Sequence, residues 1–159
     1  MNKFLLIIAI LILFIIPNPA QSARYLWCWN NTGITNNTGS NRYNFYSFCT
    51  SPFSYPAKAI THMYYYAHTD ISSNTTNLRN FISDAHSKGF KVLFLDGDAN
   101  WVTSAGQRAI GESTLDTMLN FNKNGSSTQR FDGIQYDVEP YGATNWSTNK
   151  ATFWATFTT

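Results

Sequence analysis

The chain alternates short apolar segments, rich in aromatic residues, with segments that have the spacing of amphipathic helices. Residues 24–29 and 59–67 are predicted to be the first two strands because they are rich in β-forming side chains. Residues 90–95 are nearly continuous in apolar side chains, as in a parallel strand covered on both faces. Residues 131–139 form the fourth predicted strand, which Pro140 ends.

Helices are predicted between these strands. In residues 77–86 the apolar positions fall at i, i+3, i+4 and i+7, which predicts a helix with one buried face. The same spacing recurs in residues 115–119, with Ser113 or Thr114 as the predicted N-cap. A further helix is predicted from Ser147 onward.

The order of strands and helices predicts the α/β fold class, with right-handed crossovers and a parallel sheet. Two architectures fit: the N-terminal half of a (β/α)8 TIM barrel, strands 1–4, or a small doubly wound sheet. No Gly-rich phosphate loop follows the first strand, which disfavours the nucleotide-binding form of the second. Residues 30–40 are predicted to be a loop, and residues 42–55 show no pattern that assigns them.

The chain begins with a segment that has the pattern of a secretory signal peptide. A short, weakly positive start precedes an apolar run over residues 4–16, and small side chains follow at Ala20, Ser22 and Ala23. We predict a signal peptide over residues 1–22, cleaved after Ser22 or Ala23, and a single domain over residues 23–159. An uncleaved membrane anchor is the alternative, but the run is short for a membrane-spanning helix.

Composition agrees with a secreted protein that has no contact with nucleic acid or with a membrane after cleavage. Only 13% of residues are charged and the net charge is +2, so no basic footprint is present. In an oxidising compartment Cys28 and Cys49 are expected to form a disulfide. The expected location is outside the cell or in the lysosome. Five glycosylation sequons support this route: Asn30, Asn36, Asn74, Asn124 and Asn145.

No cofactor or metal is expected. The three histidines are scattered and lack the spacing of a zinc site, so they are interpreted as surface or packing residues: His62, His68 and His86.

Two carboxylates carry the candidate chemistry. In the fourth strand Gln135, Asp137 and Glu139 share one parity, while the intervening apolar residues share the other and are expected to pack under the helices. Asp137 and Glu139 would therefore converge at the carboxyl end of the strand, where barrel enzymes place their active sites. Like charges held close keep one carboxyl protonated, as glycosidic bond cleavage requires. The alternative is a pair of ordinary solvated residues at a strand end.

A family resemblance lies in this strand, which reads FDGIQYDVEP. It resembles the fourth-strand signature of glycoside hydrolase family 18, the chitinases and their relatives, with matches at Asp132, Gly133, Asp137 and Glu139. Gln135 departs from the pattern, where the family usually has Asp or Asn. Residues 60–67 and 81–98 are similar to the family's second strand and to its second helix and third strand, most of all in the di-N-acetylchitobiase branch.

The resemblance implies a glycosidase that acts on β-1,4-linked N-acetylglucosamine, in chitin, chitooligosaccharides or the N-glycan core. Glu139 would be the general acid, and Asp137 would orient the substrate's acetamido group and stabilise the oxazolinium ion. Gln135 would lie behind Asp137, with Asp132 in support. Glutamine at position 135, in place of the family's usual Asp or Asn, is expected to slow turnover or to move its pH optimum. The partner implied is therefore an N-acetylglucosamine-containing oligo- or polysaccharide.

Aromatic residues are expected to stack on the sugar rings. Tyr65, from the second strand, and Trp101, from the loop after the third, are the candidates, with core packing as the equal alternative. Asp96 and Asp98 end the third strand, where turn formation is the favoured interpretation.

Residues 24–159 alone are expected to be inactive, as a fragment of an intact enzyme, because a closed barrel needs about 250 residues. Two other functions remain open: a non-catalytic, lectin-like glycan-binding barrel, and an unrelated secreted hydrolase that uses the two carboxylates differently.

Overall fold

The computed structural model describes residues 22–158. The predicted signal peptide lies outside the described residues, except for Ser22 at its end. No helix among residues 22–158 is both long enough and apolar enough to cross a membrane.

The described chain folds as an α/β domain around a four-stranded parallel sheet with strand order β1-β2-β3-β4. This confirms the predicted fold class and parallel sheet. The strands are Tyr25–Cys28 (β1), His62–Tyr66 (β2), Lys91–Asp96 (β3) and Gly133–Tyr136 (β4). Three of them are shorter than the segments that predict them, and β3 has the predicted length with its bounds moved by one residue. Trp27, Tyr64, Leu93 and Gly133 lie side by side across the sheet.

Six helices connect or follow these strands in the described residues. They are Thr32–Thr35 (α1), Asn41–Thr50 (α2), Asp70–Ser73 (α3), Thr75–Ser87 (α4), Ala105–Lys123 (α5) and Trp146–Thr158 (α6). Short 3-10 turns include Ala99–Val102 after β3 and Pro140–Gly142 after β4.

The two faces of the sheet differ because side chains alternate along each strand. Met63 and Tyr65 of β2 and Phe94 of β3 point into the main core, where they contact the helices. This face is called the core face. The other face, the open face, carries Tyr25 and Trp27, which are 45% and 44% exposed.

Aromatic contacts link the open face from strand to strand. The Tyr25 ring stacks on Tyr64 at a centroid distance of 5.0 Å, and Trp27 lies 4.7 Å from the same Tyr64 ring. A single exposed aromatic ring is common on a protein surface. A contiguous row of such rings is typical of a surface that contacts a ligand or another part of a protein.

Two predictions about the helices need correction, and a segment without a prediction is helical. The predicted loop over residues 30–40 contains α1, and the unassigned residues 42–55 contain most of α2. The predicted N-cap of α5 is wrong: the helix begins at Ala105, and the Ser104 side chain accepts a hydrogen bond from the amide of Gln107. Ser113 and Thr114 lie inside the helix, where their hydroxyls donate to helix carbonyls instead.

The predicted disulfide between Cys28 and Cys49 is absent from the structure, in which both are free thiols. Cys28 lies on the core face of β1 and Cys49 in α2, and both belong to the main core. Burial raises the pKa of each thiol to about 12, and for Cys49 the proximity of Cys28 adds to the shift. The two side chains therefore act as small apolar core residues.

Candidate functional site

The candidate site lies at the carboxyl edge of the sheet, defined here as the residues that directly follow the four strands. β4 ends at Tyr136, three residues before the predicted end, so Asp137 and Glu139 lie in the loop beyond it. The chain then turns at Pro140, which has no backbone N–H to continue a ladder. Asp137 is half-buried and Glu139 is exposed.

The parity predicted for β4 is confirmed on the core face. Ile134 packs against the main core, and Val138 packs against a second cluster that contains Val102 and Phe153. The Tyr136 hydroxyl donates to the carbonyl oxygen of Gly111 at 3.1 Å, which holds this strand against α5. The alternate positions, which include Asp137, are therefore left away from the core.

The loops after β3 and β4 run in direct contact. The amide of Asp137 donates to the carbonyl oxygen of Asp96 at 2.9 Å, which extends the ladder one residue past β4. Gly97 permits this approach, because a Cβ atom there would lie 2.1 Å from the Asp137 carbonyl oxygen. The backbone of Asp137 is thus fixed by the end of the neighbouring strand.

The two carboxylates and Tyr141 interact within the loop that follows β4. Burial and, after it, the negative charge of Glu139 raise the pKa of Asp137 above its usual value. The Tyr141 hydroxyl donates a hydrogen bond to a carboxylate oxygen of Glu139. The same bond, with smaller effects of burial and of the two carboxylates, raises the pKa of Tyr141. Glu139 therefore has a neighbouring acid and a phenol donor within its own loop.

Gln135 occupies a different position from the one expected. Its side-chain amide donates to the carbonyl oxygen of Tyr136 at 2.7 Å, so this N–H group is used within its own strand. The structure records no hydrogen bond between the Gln135 and Asp137 side chains among the described residues. An amide in this arrangement does not share a proton with Asp137.

Asp132 lies at the opposite end of β4 from the candidate pair. Asp137 is five residue steps further along extended chain, a distance of roughly 16 Å at about 3.3 Å per residue. Its carboxylate accepts hydrogen bonds from the Lys91 ammonium at 2.7 Å, the Val92 amide at 2.8 Å and His86 Nε2 at 2.9 Å. Contrary to the prediction, Asp132 therefore does not lie in the site but links β4 to β3 and α4.

Tyr65 does not line the site. It is fully buried on the core face, where its ring stacks on Phe81 at 4.2 Å and its hydroxyl lies 2.9 Å from Thr35 Oγ1. Burial raises its pKa strongly. A side chain in this position cannot stack on a sugar, which corrects the prediction.

Trp101 is also a packing residue. It is 6% exposed, meets the Tyr136 ring edge-to-face at 5.6 Å and covers Gly111 of α5 so closely that a Cβ there would lie 2.7 Å from the indole. The packing alternative left open for Trp101 therefore describes the structure, and the substrate role does not.

The aromatic residues that do reach the carboxyl edge are Tyr66 and Trp29. Tyr66 ends β2 on the open face, and the Trp29 indole, 43% exposed, lies 5.4 Å from its ring. His68, two residues further on, places its Nδ1 atom 2.7 Å from a carboxylate oxygen of Asp96. Strand parity predicts that Tyr66 faces opposite to Tyr65, so this signal was available in the sequence; the contact between His68 and Asp96 was not.

No group of three or more His, Cys, Asp or Glu side chains within residues 22–158 could hold a metal ion. Comparison of the chain with protein-family models, with curated proteins and with solved structures gave no match in any of the three.

Proposed function

We propose that this protein is a secreted glycoside hydrolase that cleaves β-1,4-linked N-acetylglucosamine with retention of configuration. The observation that carries the proposal is that Asp137 and Glu139 both follow β4 at the carboxyl edge of a parallel β/α sheet, where the Asp96 carbonyl oxygen fixes the Asp137 amide. Such an edge is where α/β enzymes bind their substrates. The resemblance of residues 131–140 to glycoside hydrolase family 18 gives the pair its roles.

The sheet is, in this proposal, the first half of a (β/α)8 barrel. A doubly wound sheet reverses its strand order at a switch point. This sheet has the uninterrupted order β1-β2-β3-β4, and its core face is packed against helices while its open face carries exposed rings. The open face would then be the barrel interior, and the carboxyl edge its mouth.

The chemistry assigned to the pair has two steps. Glu139 donates its proton to the glycosidic oxygen while the acetamido oxygen of the substrate attacks the anomeric carbon, so that the glycosidic bond breaks and an oxazolinium ion forms. Asp137 stabilises the positive charge and orients the acetamido group. A water then attacks the anomeric carbon and breaks its bond to the acetamido oxygen, which reopens the oxazolinium ring and restores the acetamido group. The water gives its proton to Glu139, which restores the acid.

Tyr141 contributes a donor to this cycle. Its hydrogen bond to Glu139 is best made when Glu139 is ionised, because a carboxylate is the stronger acceptor. In the second step, in which Glu139 is ionised, the Tyr141 hydroxyl orients the carboxylate that accepts the proton of the attacking water.

The proposal is tested with fluorogenic glycosides of di-N-acetylchitobiose and of cellobiose, which lacks the acetamido group. The full-length secreted protein is expected to cleave only the first, since the mechanism needs the acetamido oxygen. Equal cleavage of both would contradict the proposal. Binding of di-N-acetylchitobiose without turnover would favour the lectin-like alternative, to which the use of the Gln135 amide within its own strand lends support.

A further inference from the structure

A second polar group lies at the carboxyl edge beside the candidate pair. His68 Nδ1 and Asp96 Oδ2 are 2.7 Å apart, with 52% of the His68 side chain exposed and 6% of the Asp96 side chain. The buried carboxylate of Asp96 thus orients a ring that is half exposed to solvent.

The hydrogen bonds of Asp96 decide which nitrogen of His68 is free. One carboxylate oxygen accepts from the Gly97 amide at 2.8 Å, and the other faces His68 Nδ1. A carboxylate offers only acceptors, so Nδ1 carries a proton, and in the neutral form of the ring the lone pair is on Nε2. Among residues 22–158, no hydrogen bond to His68 Nε2 is present.

Neighbouring rings hold the imidazole from one side. The Tyr66 ring stacks on His68 with an interplanar angle of 11° and a centroid distance of 6.4 Å, and Trp29 packs on Tyr66. Burial and, after it, the charge of Asp96 raise the pKa of Tyr66. Aromatic faces next to a fixed polar atom are the usual lining of a sugar site, in which the rings cover the apolar face of the sugar.

The pair is also joined to Asp137. The Asp96 carbonyl oxygen accepts the Asp137 amide, and Gly97 touches the Asp137 carbonyl. His68, Asp96 and Asp137 thus form one connected set at the ends of β2, β3 and β4.

We propose that His68 Nε2 accepts a hydrogen bond from a ring hydroxyl of the sugar, with Asp96 fixing the tautomer and orientation of the imidazole. This inference rests on the proposed function and adds a substrate-binding residue to its site. It also assigns Asp96 a role as the residue that positions His68, where the sequence favours turn formation.

The test measures the affinity for di-N-acetylchitobiose by titration calorimetry in the full-length secreted protein carrying Glu139→Gln, which prevents turnover. Adding His68→Phe keeps a flat ring and removes the acceptor, and is expected to weaken binding about tenfold. Adding His68→Gln returns an acceptor oxygen and is expected to stay within about threefold of the parent. The matched control is His62→Phe, the same exchange at the opposite end of β2, which is expected to leave the affinity unchanged.

Nitrogen-15 NMR of the His68 ring gives a second measurement that does not depend on how well the variants fold. The free protein is expected to show the Nδ1–H tautomer, and saturation with di-N-acetylchitobiose is expected to shift the Nε2 resonance. An unchanged affinity in His68→Phe, or an Nε2 signal that does not respond while the sugar binds, would overturn the inference and leave the proposed function standing. Absence of sugar binding in the Glu139→Gln parent would overturn both.

Discussion

The backbone of Asp137 is anchored by Asp96: the Asp137 amide donates a 2.9 Å hydrogen bond to the Asp96 carbonyl oxygen beyond the end of the β3–β4 ladder. This single bond positions the first carboxylate of the candidate pair without using its side chain. It also couples the loop after β4 to the loop that carries Asp96 and its contact with His68.

Gly97 makes this contact possible, so Gly97→Ala is expected to destabilise the domain by about 1–3 kcal/mol, the usual cost of forcing extra atoms into a packed position. The new Cβ would lie 2.1 Å from the Asp137 carbonyl oxygen, and backbone has to move to accept it. Urea unfolding measures the free energy, and the amide NMR shifts of Asp96 and Asp137 are expected to change most.

Gly106→Ala in α5 is the matched control. A Cβ at this position meets only the Ser104 hydroxyl, at 3.9 Å, so alanine is expected to stabilise the helix slightly. Equal effects of the two substitutions would show that the approach of Gly97 to Asp137 has no special cost.

The sequence predicts the sheet and the side of β4 on which the carboxylates lie, because apolar and polar residues alternate clearly from Ile134 to Glu139. It fails at Tyr65, since three consecutive tyrosines, Tyr64–Tyr66, offer no contrast between the two faces. The sequence does not predict the start of α5 because Ala105–Gly111 has little apolar periodicity. This first part of the helix packs through Gly111 against the Trp101 indole.

Long-range contacts account for the other differences. Asp132 belongs to the fourth-strand pattern in the sequence, yet its partners Lys91 and His86 come from residues more than 40 positions away. The pairing of His68 with Asp96 spans 28 positions in the same way. Local spacing carries no signal for such contacts.

Asp132→Asn tests the assignment of Asp132 as a link between strands. Loss of the charge-assisted bonds to Lys91 and His86 is expected to lower the free energy of unfolding by about 1 kcal/mol, a modest value because solvent screens a carboxylate that is 20% exposed. Sugar affinity is expected to remain within about twofold of the wild type. Asp116→Asn, on an exposed position of α5, is the control. A large loss of sugar affinity with an unchanged free energy of unfolding would show that Asp132 acts in the site and would contradict its assignment as a link between strands.

The same carboxylate predicts a dependence of stability on pH. Burial alone would raise the pKa of Asp132, but the bonds from Lys91, Val92 and His86 lower it below the usual value. Its contribution is therefore present above the unfolded-state pKa, about 3.9, and is lost as the pH falls through the lower folded-state value. Urea unfolding between pH 2 and pH 6 is expected to show a smaller loss of stability on acidification in Asp132→Asn than in the wild type. Parallel curves would contradict the assignment.

The two thiols give a separate test of the core. With a pKa of about 12, Cys28 and Cys49 are ionised to about one part in ten thousand at pH 8 and are shielded from reagents. A water-soluble maleimide is expected to label neither cysteine in the folded protein and both after unfolding without reductant. No labelling after unfolding would reveal a disulfide between them, as the sequence predicts, and rapid labelling of the folded protein would contradict their burial.

Hydrolysis of a fluorogenic di-N-acetylchitobioside by Glu139→Gln tests the central claim most directly. The full-length secreted protein is expected to lose activity by about 10²–10⁴-fold, the usual contribution of a general acid, while its affinity for the sugar is retained. Glu112→Gln, an exposed residue of α5 that pairs with Arg108, is the matched control and is expected to keep full activity. Turnover by Glu139→Gln at the wild-type rate would contradict the account, because no other group has been assigned to protonate the leaving oxygen.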